Sequence, residues 1–181
     1  MKFNIFTFSF FLLISSCSLQ EEEKTYFPFK SFLENELNQL DSLPIAIFKY
    51  SYRNKNIDTS IVEKKIFCEL AISLLNVDLT EKKTANAYNE IVLEDTDIDN
   101  IAISYATEND QYPIKKLQLN IKPGTSLVKN IYVERLDQLE EVTILRKILW
   151  NTKKGVTITS IYYKNKIARE QLTEKYSWSI Q

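Results

Sequence analysis

Apolar and polar residues change their spacing once along the chain, from a helical period to a period of two. Between residues 29 and 40 (FKSFLENELNQL) the apolar side chains recur every three or four positions, and residues 63–75 repeat this spacing. Side chains at that interval share one face of an α-helix. We therefore predict two amphipathic helices, the first of which ends before Pro44.

The segments beside these helices have other patterns. Residues 45–52 (IAIFKYSY) and 57–62 (IDTSIV) are rich in β-branched and aromatic side chains and flank the polar sequence RNKN. This arrangement predicts a β-hairpin between the helices. Residues 76–89 are mostly polar and predict a connector, with a helical turn from Thr80.

From about residue 90 onward, apolar and polar residues alternate and turn-forming segments separate the alternating runs. The alternating apolar positions include Ile101, Ile103, Tyr105, Leu117, Leu119, Ile121, Ile131, Val133, Val142, Ile144, Ile148, Trp150, Tyr176, Trp178 and Ile180. Arg146 interrupts one of these apolar faces. Such a pattern indicates an antiparallel meander with one buried face. We predict an α+β fold, in which two amphipathic N-terminal helices pack on a curved antiparallel β-sheet of about six to eight strands.

The amino terminus has the pattern of a secretion signal. Met1-Lys2 supplies a positive start, and the apolar segment Phe3–Ile14 follows. This segment is shorter than the roughly 20 residues that span a bilayer, but it suits a signal-peptide core. Ile14-Ser15-Ser16-Cys17 then resembles the bacterial lipobox. An ordinary secretory signal with an incidental cysteine is the alternative.

The lipobox resemblance implies cleavage before Cys17 and transfer of lipid to that residue, so that acyl chains such as palmitate hold the mature protein in the membrane. Residues 1–16 are then a signal peptide, residues 17–27 a lipidated cysteine with an acidic tether, and residues 28–181 a single domain. Glu21, Glu22 and Glu23 are similar to the acid-rich export signals of Bacteroidota surface lipoproteins, although three residues separate them from the cysteine. We expect a lipid-anchored protein of the outer membrane, with the periplasmic or surface face left open.

Composition restricts the chemistry that the domain can perform. The 181 residues include 23 basic and 24 acidic side chains, so no basic excess exists to bind nucleic acid. There is no histidine, which removes the most common general base and nucleophile activator. Two glycines are too few for a phosphate-binding loop. We predict no cofactor, and we predict that the chain is not an enzyme.

Two further features carry candidate chemistry. The acidic segment 94–100 (EDTDIDN) begins like a calcium-binding loop, but Asn100 and Ala106 stand where that loop needs glycine and glutamate. A solvated turn without a metal is therefore the prediction. Cys68 lies in an apolar helical run and is interpreted as a small buried residue rather than a reactive thiol.

Aromatic residues are concentrated in the last predicted strands. Trp150, Tyr163 and Trp178 are candidate binding aromatics, because exposed rings on a sheet can stack against sugars or contact lipid. Aromatic residues at a strand period also build cores, which is the alternative interpretation.

The order of these elements resembles a group of small, uncharacterised outer-membrane lipoproteins of Bacteroidota. The lipobox, tether, helix, hairpin, second helix and aromatic-rich strands together carry this resemblance. It implies location and shape rather than an activity. We expect a membrane-anchored protein with a non-catalytic binding or structural domain, whose partners are the bilayer, through acylated Cys17, and an unknown protein, glycan or lipid. The alternatives are a half-barrel carrier of lipid or lipoprotein and a carboxylate-dependent glycan hydrolase.

Overall fold

A computed structural model of the protein describes residues 26–53 and 56–178. The helices in this part of the chain are α1 (Phe29–Ser42), α2 (Lys64–Leu75) and α3 (Lys82–Ala87). The strands are β1 (Ile47–Arg53), β2 (Asn56–Val62), β3 (Asn89–Asp95), β4 (Asn100–Ala106), β5 (Ile114–Ile121), β6 (Val128–Gln138), β7 (Thr143–Asn151), β8 (Gly155–Lys164) and β9 (Ile167–Ser177).

All nine strands form one antiparallel sheet in the order β2-β1-β9-β8-β7-β6-β5-β4-β3. The strands from β3 to β9 follow one another as a meander, in which each strand pairs with the next along the chain. The hairpin β1–β2 then adds to the far side, because β1 pairs with β9. As a result β2 and β3 are the two edges of the described sheet.

The two longer helices share a core with one face of the sheet, which we call the front face. Helix α1 buries the residues of one helical stripe, Phe29, Leu33, Leu37 and Leu40. Helix α2 buries Phe67, whose ring centroid lies 5.2 Å from that of Tyr176 and 5.4 Å from that of Trp178. The opposite face, which we call the open face, contributes none of the fully buried strand residues among those described.

The α+β class, the antiparallel sheet, the hairpin and the bounds of both longer helices agree with the sequence prediction to within about two residues. The predicted strand number was wrong, since the described residues form a sheet of nine strands and not of six to eight. The additional strand is β3, in which Ile91, Val92 and Leu93 are consecutive and all exposed, so no alternating pattern indicates it.

The predicted pair of N-terminal helices also needs correction. The hairpin β1–β2, which belongs to the sheet, separates α1 from α2 along the chain. A third helix, α3, follows at residues 82–87, where the sequence indicated only a helical turn from Thr80 within a connector. Helices and strands are therefore interleaved in the first half of the described chain.

Candidate functional site

The front face changes from apolar to charged along its length. In β6 the inward positions run from Ile131 and Val133 to Arg135 and Asp137, and in β7 Arg146 follows Ile148. Further along the same face, β9 and β1 contribute an acid and a lysine. We call this group the ionic patch, and its members are Lys49, Arg135, Asp137, Arg146 and Glu174.

Asp137 is the centre of the ionic patch, because both arginines bind its carboxylate. The Nε of Arg135 donates to Oδ1 at 2.8 Å, and Nη1 of Arg146 donates to Oδ2. Arg135 and Arg146 are directly opposite each other on paired strands, an arrangement in which two like charges repel. One carboxylate between two guanidinium groups offsets that repulsion and leaves one positive charge in excess.

Arg135 has a second role that ties the patch to helix α2. Its Nη1 donates to the backbone carbonyl oxygens of Ser73 at 2.9 Å and Leu74 at 3.1 Å. These carbonyls lie in the last turn of the helix, where the intrahelical hydrogen bonds end and a positive charge is favourable. Arg135 is therefore largely occupied with protein groups.

Arg146 has more donors left than its neighbour. Among the described residues its only hydrogen bond is the one to Asp137, whereas a guanidinium carries five N–H groups. Burial lowers the pKa of Arg146, Tyr162 and Glu174 raise it, and Arg135 lowers it. An arginine guanidinium stays charged at neutral pH. Buried Ser160 is directly opposite Arg146 on β8 and adds a hydroxyl group.

The pair Lys49–Glu174 closes the patch on the β1 side. Lys49 Nζ lies 2.5 Å from Glu174 Oε1 and 5.7 Å from the centroid of the Tyr176 ring. Burial lowers the pKa of Lys49, but the hydrogen bond and the charge of Glu174 outweigh burial, so that the pKa is raised overall. These two charges satisfy each other, which leaves the excess positive charge at Arg146.

The arrangement is suited to binding an anion. A guanidinium group presents parallel N–H donors that match a carboxylate, and partial burial strengthens such hydrogen bonds. The exposed fractions of the Arg135, Asp137 and Arg146 side chains are 19%, 18% and 21%, so the patch is neither sealed nor fully solvated. A small anionic group can therefore reach Arg146 from solvent.

Two hollows lie away from the ionic patch. The larger, a groove of about 490 Å³ between α1 and α2, is lined by Glu34, Leu37, Asn38, Asp41, Lys65, Cys68, Glu69 and Ile72. Cys68 is half-buried there, its Sγ lies 3.9 Å from the carbonyl oxygen of Leu37, and burial raises the pKa of its thiol. A raised pKa disfavours the reactive thiolate, which agrees with the interpretation of Cys68 as a packing residue. The smaller hollow, of about 180 Å³, lies beside α3.

The candidate aromatic residues do not form a common surface. Trp150 and Trp178 are 1% and 5% exposed and belong to the core, so their interpretation as surface-binding rings was wrong. Their indole Nε1 atoms have no hydrogen-bond partner among the described residues. Tyr163 is half-buried and lies on the open face, where it is opposite Thr143.

The acidic segment forms the turn between β3 and β4, as the sequence predicted. Asp95 Oδ1 accepts hydrogen bonds from the backbone N–H groups of Asp97, at 3.0 Å, and Ile98, at 3.4 Å. Asp99 completes the turn with a φ of 50°. Within residues 26–53 and 56–178, no cluster of three or more Cys, Asp and Glu side chains is placed to hold a metal ion.

The remaining predicted site residues lie outside the part of the chain that the structure describes. They are the lipidation residue Cys17, the cleavage motif Ile14, Ser15 and Ser16, and the candidate export signal Glu21, Glu22 and Glu23. In the described ranges no helix combines the length and the apolar character that crossing a membrane requires.

Sequence reasoning missed the ionic patch, although one signal was present. Arg146 stands out in the sequence as a charge within an apolar period-two run. Arg135 continues the inward period of Ile131 and Val133, so two neighbouring strands each place a charge on the buried face. Such local conflicts with the pattern concentrate at functional or strained positions.

The chain matches no protein family, and no curated protein or solved structure is detectably similar to it.

Proposed function

We propose that the protein is a lipid-anchored component of the bacterial outer membrane, whose domain is a non-catalytic binding module. The ionic patch recognises an anionic group of the ligand. The observation that carries this proposal is the incompletely bonded guanidinium of Arg146, which shares the single carboxylate of Asp137 with Arg135.

A carboxylate is the anion that fits this patch best. The planar fork of Arg146 can hold two oxygen atoms at once, and Asp137 fixes the fork from its other side. The adjacent hydroxyl of Ser160 is a further donor. Acidic sugars and the carboxyl termini of peptides both present such a group, and both are ligands expected in an envelope.

The proposal is tested by titrating the purified full chain, in detergent micelles, with glucuronate and separately with acetyl-dialanine. The Nε–H signal of Arg146 in a nitrogen-15 spectrum should shift with at least one probe. Arg146→Met should abolish the saturable shifts of neighbouring residues. Lys147→Met is the matched control, since Lys147 is the next residue of β7, is exposed and lies on the open face.

The probe that binds indicates which class of ligand supplies the carboxylate. Binding of glucuronate favours an acidic glycan, and binding of the dipeptide favours a protein terminus. Equal binding by Arg146→Met and the unaltered chain would remove the patch from the function.

The lipid anchor needs its own experiment. The full chain, produced in bacteria that are fed an alkyne analogue of palmitate, should incorporate the label and remain in the membrane fraction. Cys17→Ser should lose both properties, because the proposed acylation site is gone. Cys68→Ser is the matched control, as it removes the other cysteine of the chain and should keep the label. Label on Cys17→Ser would contradict the anchor.

The two alternatives have less support. A half-barrel carrier needs a curved sheet with an apolar cavity beneath its helices, yet Phe67 of α2 fills that position and contacts Trp150, Tyr176 and Trp178. A glycan hydrolase needs two facing acids of perturbed pKa. Burial raises the pKa of Glu36 on α1, but a single such acid does not make a facing pair.

A further inference from the structure

Strand β2 lies at one edge of the described sheet, and its side chains are exposed on both faces. Residues 56–61 are all exposed, and Val62 is half-buried. Among the described residues β2 pairs only with β1, in a register without a bulge. An edge strand of this kind has unpaired backbone N–H and C=O groups, and proteins usually protect it with proline, lysine or a bulge. Asp58 is the only charged residue of β2.

The open face beside this edge is apolar. Ile57 and Ile61 are 66% and 70% exposed, and they are directly opposite Tyr52 and Phe48 of β1. Phe48 is 42% exposed and Tyr52 37%. Contiguous exposed apolar side chains next to an unpaired edge indicate a contact surface.

The sequence of β2 is complementary to itself in antiparallel register. If Thr59 is opposite Thr59 of a second copy, Ile57 is opposite Ile61 and Asp58 is opposite Ser60 in each half of the pair. No like charges meet, and two isoleucine pairs form on the open face. Cross-strand apolar and threonine pairs of this kind stabilise antiparallel strands.

The opposite edge lacks this property. The same central register in β3 puts Val92 opposite itself and Glu90 opposite Glu94, so that two pairs of carboxylates repel each other. The exposed residues Ile91, Val92 and Leu93 therefore lie on an edge whose charges oppose self-pairing.

We propose that β2 is the contact of a symmetric homodimer, in which the β2 strands of two copies pair antiparallel about Thr59 and join the two sheets into one. A twofold axis through the strand centre makes the contact isologous, so that the same residues serve both copies. The proposal is independent of the ionic patch and of any ligand.

The test is a disulfide across the twofold axis. In the full chain with Cys17 and Cys68 replaced by serine, Thr59→Cys places one thiol opposite its copy. Directly opposite residues of antiparallel strands have Cα atoms about 4.5 or 5.5 Å apart, within the range of a disulfide. Mild oxidation should give a covalent dimer on a non-reducing gel. Val92→Cys in the same background is the matched control at the centre of β3 and should stay monomeric.

A second variant separates pairing from chance collision. Ile57→Lys with Ile61→Lys, added to Thr59→Cys, puts lysine opposite lysine across the axis and should reduce cross-linking to the level of Val92→Cys. Circular dichroism should show an unchanged fold, because these side chains are exposed. Failure of Thr59→Cys to cross-link, or equal cross-linking by Val92→Cys or by the lysine variant, would overturn the proposal.

Discussion

The two ends of the front face use the same strands for different purposes. At one end Trp150 and Tyr176 lie under α2, and Ile131 is buried with them in the apolar core. At the other end Arg135, Asp137 and Arg146 occupy the same inward register, beyond the last turn of that helix. Strand alternation fixes which face a residue points to, whereas the extent of the helix decides whether that position needs an apolar side chain.

The ends should also differ in what they contribute to stability. Apolar burial at the α2 end is a large favourable term. The charges at the ionic end lose part of their hydration, and their mutual attraction does little more than offset that loss. We therefore expect the apolar end to determine stability and the ionic end to determine specificity.

The largest expected effect is at the apolar end. Phe67→Ala should lower the free energy of unfolding by about 3–5 kcal/mol, because it removes a fully buried ring and leaves a cavity between two tryptophans. Urea unfolding followed by tryptophan fluorescence measures this loss. Leu149→Ala, at a site 52% exposed on the open face, is the control and should cost less than about 1 kcal/mol. Similar losses in both variants would contradict the assignment of the core.

The next effect is at the centre of the ionic patch. Asp137→Asn should cost about 1–3 kcal/mol, since two partly buried guanidinium groups then face each other without a counter-charge. The same urea experiment measures it. Asp110→Asn removes an acid from an exposed ion pair with Lys115 and should change the free energy of unfolding by less than about 1 kcal/mol. If the two variants are equally stable, Asp137 does not hold the patch together.

A smaller effect is expected when one of the two arginines is removed. Arg146→Met leaves Arg135 and Asp137 as a balanced pair, so the free energy of unfolding should change by less than about 1 kcal/mol. A melting temperature close to that of the unaltered chain, together with lost anion binding, would separate stability from recognition. A loss as large as that of Asp137→Asn would instead assign Arg146 a structural role.

The smallest effect concerns pH and the boundary between the two ends. Burial, followed by the charge of Glu174, raises the pKa of Tyr176, and the pKa of Lys49 is also raised. Groups whose pKa is raised on folding stabilise the protein below their unfolded pKa, and this contribution is lost as the pH rises through the folded value. The free energy of unfolding should therefore fall above about pH 10.

Tyr132 on the open face adds to this alkaline loss, because burial and the hydrogen bond to Glu134 raise its pKa to about 12. Urea titrations between pH 8 and pH 11 measure the slope. Tyr176→Phe, which keeps the ring and removes the titrating hydroxyl, should flatten it. An unchanged slope would show that the boundary residues do not titrate with folding.

Much of the fold was predictable because the residues that become buried recur at a regular spacing in the sequence. Helix α1 buries every third or fourth residue, and β7 buries every second one apart from Arg146, so both could be identified from spacing. Strand β3 is exposed along its whole length, so its sequence does not alternate between apolar and polar residues as a half-buried strand does. The missed strand is thus a consequence of its position at the sheet edge.

The candidate site was less predictable, because its residues become neighbours only through strand register. Arg135 and Arg146 are opposite each other owing to the pairing of β6 with β7, and Lys49 reaches Glu174 only because the first hairpin joins the last strand. Asp137 lies one residue before the end of β6 at Gln138, so its inward position depends on how far that strand extends. For Trp150 and Trp178, the spacing in the sequence placed both rings on one face of the sheet. It could not show that helix α2 covers that face.

The pairing of β1 with β9 has a consequence for biosynthesis. Phe48 of β1 pairs with Ser177 of β9. Strand β1 can therefore pair on its second side only after β9, the last described strand, has been synthesised. Contacts between such distant segments slow folding, and they cannot form during the emergence of a partial chain. Export in an unfolded state would therefore meet little competition from premature folding. If the chain is exported as proposed, we expect the sheet to close only after the whole domain has crossed the membrane.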